Sequence, residues 1–92
     1  MFQILETREL VDNIYLMVVE AKRVAKSCAP GQFVIVRMDQ EGERIPLTIC
    51  DYDRVSGSVT IVFQGVGAET KRMAAMKVGD AFHDFVGPLG CA

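Results

Sequence analysis

The sequence has 92 residues, half of them hydrophobic, with 10 basic and 12 acidic side chains and a formal net charge of −2. This length allows one domain with a modest core, and the hydrophobic content excludes a disordered chain. The basic residues are scattered, so no positive surface for nucleic acid or an anionic membrane is predicted.

The sequence shows neither a membrane span nor a secretion signal. No apolar run approaches the ~18 residues of a transmembrane helix. The first residues, Met-Phe-Gln-Ile-Leu-Glu, lack the basic region and the long apolar region of a signal peptide. A cytoplasmic location is therefore expected.

Metal and catalytic motifs are also missing from the sequence. Cys28, Cys50 and Cys91 are too widely spaced for a zinc or iron–sulfur site, and His83 is the lone histidine. The cysteines are predicted to be reduced thiols that pack as small hydrophobic residues. No nucleophilic triad or carboxylate pair is found, so no catalytic residue and no metal ligand is nominated.

The first half of the chain predicts four strands. Residues 2–10 and 14–20 form a hairpin around Asp12-Asn13, and residues 21–27 are either one helical turn or a basic loop. After a Pro30-Gly31 turn, residues 33–38 form the third strand. A polar turn around Gly42 leads to the fourth strand, residues 44–50.

The second half predicts two further strands and one helix. Residues 58–64 have the clearest alternation of apolar and polar side chains. A helix over 68–76 follows, with Val66, Met73 and Met76 as its buried stripe and Gly79 beyond its end. Residues 80–86 form the last strand, and Gly-Pro-Leu-Gly at 87–90 ends it.

These elements predict an all-β fold for residues 1–92. Six short strands at hairpin spacing, with one short helix before the last strand, indicate a six-stranded antiparallel Greek-key barrel. Closure into a barrel also protects the edges of such short strands.

Two stretches of the sequence suggest an anion site. The fourth strand opens with Arg44 and Pro46, and proline cannot donate to a ladder, so one edge of this strand should face something other than a strand. Gly65 and Gly67 precede the helix, whose first N–H groups and dipole favour an anion. Together these stretches could clamp a diphosphate, although the Rossmann and Walker patterns do not match.

Simpler interpretations exist for the same residues. Arg44 could be a strand-edge charge paired with Glu43 or Asp51. The two glycines could form only a strand-to-helix turn, which is their commoner use. Lys71 and Arg72 are most simply solvated.

The pattern Arg-x-Pro-Leu-Thr-Ile-x-Asp at 44–51, followed by Phe-Gln-Gly-Val-Gly-Ala-Glu-Thr-Lys at 63–71, resembles the flavin-binding barrel of the ferredoxin–NADP reductase superfamily. Pro-Gly-Gln-Phe-Val at 30–34 and Gly-Pro-Leu-Gly at 87–90 extend the resemblance over the chain. Within the superfamily, the pattern most resembles the electron-transfer subunit of dihydroorotate dehydrogenase, which serves pyrimidine biosynthesis. It is similar also to the small subunit of NADH-dependent ferredoxin–NADP oxidoreductase and of sulfide dehydrogenase.

The resemblance implies FAD as cofactor and a set of residues that bind it. Arg44 would lie near the phosphates, while Pro46, Leu47 and Thr48 would line the isoalloxazine and ribityl side. The ribityl and adenosine portion would be covered by Phe63, Gln64 and Gly65. The diphosphate would lie under the start of the helix, formed by Gly67, Glu69 and Thr70.

Two residues depart from the pattern or add to it. Many relatives have glycine where this chain has Glu69, so the carboxylate is expected to turn to water and only its backbone to contribute. Cys50 should share the face of Thr48, because side chains alternate along a strand, and is interpreted as a small packing residue.

The resemblance also implies an incomplete oxidoreductase. The NAD(P)H-binding and 2Fe–2S portions of the family are not in this sequence, so a fragment that does not oxidise NAD(P)H alone is expected. Its partner would be the larger catalytic subunit of a heteromeric oxidoreductase. The alternative is a non-catalytic barrel used for protein contacts, in which an uncovered apolar face would join two copies of the chain in a homodimer.

Overall fold

The computed structural model describes residues 2–90, which contain seven strands and two helices. The elements are β1 (Phe2–Val11), β2 (Ile14–Glu20), α1 (Lys22–Ser27), β3 (Phe33–Arg37), β4 (Ile45–Asp53), β5 (Ser58–Gln64), α2 (Ala68–Ala74), β6 (Ala81–Phe82) and β7 (Asp84–Leu89). The all-β class is confirmed, but the prediction of six strands and one helix is wrong in both numbers.

The strands form one antiparallel sheet in the order β6-β1-β2-β5-β4-β3-β7. Within it β3, β4 and β5 are sequential neighbours, while β2 lies beside β5 and reaches β3 by a longer connection. The order β2-β5-β4-β3 is therefore a Greek key.

The seventh strand arises because residues 81–89 pair with both edge strands of the sheet, β1 and β3. β6 pairs with β1, through Phe2 and Phe82, whereas β7 pairs with β3. His83 is the single residue between them, and its N–H donates to the Arg37 carbonyl at 2.8 Å. The predicted strand over 80–86 is thus divided at His83. Its second part continues to Leu89, so Gly87 and Pro88 do not end it, and the barrel is nearly closed.

The core lies on the inner faces of the strands. β2 and β5 pair over seven consecutive residues without a register shift. Their inward side chains Met17, Val19, Val59 and Ile61 are all completely buried. This alternation is the pattern that the sequence showed most clearly, and it forms one wall of the barrel.

The two helices lie at opposite ends of β5. Residues 22–27 are a helix, and the Ala21 N–H before it donates to the Gly57 carbonyl beside the start of β5. α2 follows the end of β5 and buries Met73, whereas Val66 is 65% exposed, so the predicted stripe is wrong at Val66. Neither helix is long and apolar enough to cross a membrane, among the residues described.

The cysteines differ in environment. Cys28 is buried, as predicted, and burial raises the pKa of its thiol. Cys50 is exposed, on the face of β4 that also presents Thr48, so its interpretation as a packing residue is wrong. Cys91 lies outside the described residues.

Candidate functional site

The fourth strand changes partner along its length. Its first part, from Ile45 to Thr48, pairs with β3, and its second part, from Ile49 onward, pairs with β5. The end of β5, residues 62–64, pairs with β2 and has no partner in β4. β4 and β5 therefore separate here, leaving backbone edges free in the described ladders. Pro46 lies in this separated part, which suits a residue without an N–H.

An open cleft of about 440 Å³ lies where these strands separate. Its size is within the range of ligand sites in proteins. Both stretches singled out in the sequence contribute to it. The cleft is lined by Glu43, Arg44, Ile45, Pro46, Val66, Gly67, Ala68, Glu69 and Thr70.

The turn into α2 is held by the hydroxyl of Thr70. Its Oγ1 accepts hydrogen bonds from the N–H groups of Val66 (3.1 Å) and Gly67 (2.9 Å) and donates to the Gly67 carbonyl (3.2 Å). This is the half of a capping box in which the third helical residue satisfies the backbone at the N-cap. Thr70 therefore shapes the turn, and its hydroxyl is already engaged.

The next N–H groups of α2 remain free. The first backbone N–H of the helix to find an acceptor is that of Lys71, bonded to the Gly67 carbonyl at 2.9 Å. Within residues 2–90, those of Ala68, Glu69 and Thr70 have no hydrogen-bond acceptor. Three donors at the mouth of a cleft can serve an anion.

Arg44 is an exposed cation beside these donors. It precedes β4, which begins at Ile45, so the prediction that the strand starts at Arg44 is wrong by one residue. No ion pair or hydrogen bond joins its side chain to another described residue. The alternative of a pair with Glu43 or Asp51 is therefore not what the structure has.

Glu69 does not turn to water as expected. Its side chain is 28% exposed, and its Oε2 atom is buried without a hydrogen bond from any described residue. Nη1 of Arg72 lies 3.9 Å from Oε2, which is an ion-pair distance too long for a hydrogen bond. The carboxylate is thus part of the cleft wall.

The remaining predicted residues lie on the adjoining parts of β4 and β5. Thr48 and Gln64 are exposed, whereas the side chains of Leu47 and Phe63 are buried in the core. The Phe63 ring stacks on Tyr15 with centroids 5.6 Å apart. The side chains of Leu47 and Phe63 are therefore not available to a ligand.

Gly65 is buried beside the same tyrosine. A Cβ atom at this position would lie 3.2 Å from Cε2 of Tyr15, closer than most such contacts. The glycine therefore permits the close approach of the β5 end to the Tyr15 ring. Asn13 holds the same segment, because its carbonyl accepts from the Gly65 N–H at 2.9 Å.

The sequence analysis does not predict an ion pair that joins α2 to the turn after β3. Arg72 on α2 forms an ion pair with Asp39 in the turn after β3, and their contact lowers the pKa of the Asp39 carboxyl. They are 33 positions apart, with no periodic relation that could have indicated the pair. The sequence predicts a solvated side chain for Arg72, and the structure shows one that is half exposed and also ion-paired.

Known proteins with similar sequences match nearly the whole of this chain. No family model matches the chain. It is 59% identical over 90 residues to an uncharacterized protein in the adh 3′ region of Clostridium beijerinckii, with 98% of this chain and 30% of that protein covered. It is 35% identical over 88 residues to a dihydroorotate dehydrogenase B (NAD(+)) electron transfer subunit homolog of Thermotoga maritima, covering 96% and 31%. The corresponding subunit of Shouchella clausii is 37% identical over 90 residues, covering 95% and 34%.

Two solved structures share the fold. An NADH-dependent reduced ferredoxin–NADP oxidoreductase superposes with a TM-score of 0.96 at 34% identity, over 99% of this chain and 33% of that one. The cytochrome b5 reductase domain of Ulva prolifera nitrate reductase superposes with a TM-score of 0.68 at 17% identity, over 97% and 40%. The second match shows the shared fold alone.

The fold thus matches the ferredoxin–NADP reductase-like barrel, and the resemblance seen in the sequence is confirmed. More particularly, the chain is homologous to electron-transfer subunits of oxidoreductases, among them those of dihydroorotate dehydrogenase B. It spans about a third of the length of these relatives.

Proposed function

We propose that this chain is the FAD-binding barrel of an oxidoreductase subunit that passes electrons between NAD(P)H and an iron–sulfur, ferredoxin or dihydroorotate-type partner. The observation that carries the proposal is the cleft between β4 and α2. It brings Arg44 and the free N–H groups of α2 together in a barrel homologous to electron-transfer subunits.

The donors of the cleft fit a diphosphate. A guanidinium binds phosphate oxygens as a fork, and Arg44 has no competing partner among the described residues. The N–H groups of Ala68, Glu69 and Thr70 supply three further donors. Glu43 and Glu69 also line the cleft, so any anion bound there lies near two carboxylates.

The separated edge of β4 fits the flavin ring. Pro46 and Thr48 are exposed on this stretch, between them Leu47 pairs with Val34 of β3, and all three would border the ring. Gln64, Gly65 and the backbone of Phe63 would border the ribityl and adenosine portion. When bound, FAD supplies the electron-transfer chemistry, while these residues bind and orient it.

The rest of the reaction is proposed for other parts of the assembly. The relatives are about three times as long as the matched chain, so NAD(P)H binding and the 2Fe–2S cluster are assigned to the remainder of such polypeptides. The larger catalytic subunit of a heteromeric oxidoreductase would be the partner. Whether it acts on dihydroorotate or on ferredoxin depends on that subunit.

FAD titration of the purified chain tests the proposal. Binding is followed by quenching of flavin fluorescence, for the wild type and for Arg44→Ala. Loss of a charge-assisted fork of about 1.5–3 kcal/mol should weaken FAD binding roughly 10- to 150-fold. Arg8→Ala is the matched control, because Arg8 is an exposed cation on β1 with only a 4.0 Å contact to Glu6.

Two results would contradict the proposal. A wild-type chain that leaves added FAD fluorescent and free would remove the cofactor assignment. Equal FAD affinities of Arg44→Ala and Arg8→Ala would remove Arg44 from the site. The expected result is a control that binds like the wild type and an Arg44→Ala variant that does not.

A further inference from the structure

Arg72 lies outside the cleft and contacts two acidic residues, one in the turn before Arg44 and one on α2. On one side it pairs with Asp39, in the turn between β3 and β4. On the other side its Nη1 lies 3.9 Å from the Oε2 atom of Glu69, one turn earlier on α2. One guanidinium therefore contacts a carboxylate in the turn that leads to Arg44 and a carboxylate that lines the cleft on α2.

The turn that leads to the Arg44 side of the cleft is held together by Asp39. Its Oδ1 accepts the N–H of Glu41 at 3.2 Å, and its carbonyl accepts the N–H of Gly42 at 3.2 Å. Gly42 itself is close-fitting, since a Cβ there would lie 3.0 Å from Oδ1 of Asp39. This compact turn ends two residues before Arg44. The ion pair between Arg72 and Asp39 therefore also restrains the position of the Arg44 backbone.

The α2 side of the cleft carries a negative charge, which repels an anionic ligand. Glu69 lines the cleft with a buried oxygen that accepts no hydrogen bond from the described residues. A phosphate in the same cleft would be repelled by this carboxylate. Within residues 2–90, Arg72 is the one cation found at ion-pair distance from it.

We propose that Arg72 is a positioning residue for a diphosphate ligand, an inference that rests on the proposed FAD function. It holds the Arg44 wall and the α2 wall at the spacing the diphosphate needs, through Asp39. It also compensates the charge of Glu69, so that a carboxylate is tolerated beside the phosphates. Arg72 acts through these two residues and does not itself line the cleft.

The test compares FAD with riboflavin, which has the same ring and no phosphate. Arg72→Gln should weaken FAD binding by up to about fivefold, the scale of an exposed ion pair, and leave riboflavin binding unchanged. Adding Glu69→Gln to Arg72→Gln should restore part of the lost FAD affinity, because the uncompensated charge is removed. Asp39→Asn should weaken FAD binding less than Arg72→Gln does.

Asp84→Asn provides a matched control. It removes an ion pair of the same kind, between Arg37 and Asp84 at 2.6 Å, which joins β3 to β7 away from the cleft. Its FAD affinity should equal that of the wild type. Thermal unfolding of each variant shows whether the protein is folded. If Arg72→Gln does not fold, the test rests on Asp39→Asn, which must weaken FAD binding and leave riboflavin binding unchanged.

The outcomes separate this inference from the proposed function. A wild type that binds no FAD overturns both. A wild type that binds FAD, with Arg72→Gln binding it equally well, overturns the positioning role alone. Equal losses for FAD and riboflavin, or no recovery on adding Glu69→Gln, also overturn it.

Discussion

The β2–β5 ladder and the cleft between β4 and α2 are built in opposite ways. The ladder has seven consecutive residue pairs, and its inward side chains are completely buried. The cleft begins where the ladder between β4 and β5 ends, and it is bordered by exposed charges and free N–H groups. The ladder pairs continuously between its two strands, while the cleft borders strand edges and N–H groups that have no partner among the described residues.

This difference assigns stability and binding to separate residues. Burial of the ladder's apolar side chains stabilises the barrel, at about 25 cal/mol per Å² of apolar surface removed from water. Exposed charges such as Arg44 contribute little to folding, so the barrel can present them to a ligand. Changes in the ladder should therefore alter unfolding, and changes in the cleft should alter chiefly ligand binding.

The largest expected effect comes from breaking the ladder. Ile61 pairs with Met17 on one side and Ile49 on the other, and it is completely buried. Ile61→Ala should lower the free energy of unfolding by about 2–5 kcal/mol, measured by urea denaturation. Val62→Ala, at the half-exposed next position, is the control and should cost much less. A loss below about 1 kcal/mol for Ile61→Ala would show that the ladder does not dominate stability.

A smaller effect is expected at the turn that joins the two regions. Thr70→Ala removes the acceptor of the Val66 and Gly67 N–H groups and should lower the free energy of unfolding by about 1 kcal/mol. Thr70→Ser keeps the hydroxyl and should retain most of that stability. Urea denaturation of both variants measures the difference. If the serine variant is as destabilised as the alanine variant, the hydroxyl is not what holds the turn.

The smallest effect is the pH dependence of the Asp39–Arg72 pair. The hydrogen bond from Arg72 lowers the pKa of Asp39 below its ordinary value of 3.8 in the folded protein. The pair's stabilisation is therefore present above that value and is lost as the pH falls through the lowered folded pKa. The urea midpoints of the wild type and Asp39→Asn should differ slightly at neutral pH and converge in acid, once the pH is below the lowered folded pKa of Asp39.

Arg72→Gln supplies the control for this pH dependence. Without the guanidinium, Asp39→Asn should change the urea midpoint much less at any pH, since only the backbone hydrogen bonds of the turn still favour the carboxylate. A difference between wild type and Asp39→Asn that persists in strong acid would mean that the pair is not its source.

The alternation of apolar side chains determined much of the barrel from the sequence alone. It placed β5 at the residues where the structure has it, because burial on one face imposes a period of two, and a continuous apolar run did the same for β2. Residues 80–86 carry no local sign of their division at His83, since the break exists only because two distant edges, β1 and β3, must both be paired. The short α1 was equally undecided, because its burial depends on contacts with β5 and β7.

For the site, the sequence by itself brought out Arg44, Pro46 and the glycines before α2, because these residue types have restricted or distinctive chemistry. Tertiary structure alone decided that β4 pairs with β5 only from Ile49 onward, that Glu69 lines the cleft wall, and that Arg72 reaches Asp39. The reason is physical: an ion pair between residues 33 positions apart depends on how the chain returns on itself, and no local preference encodes that distance.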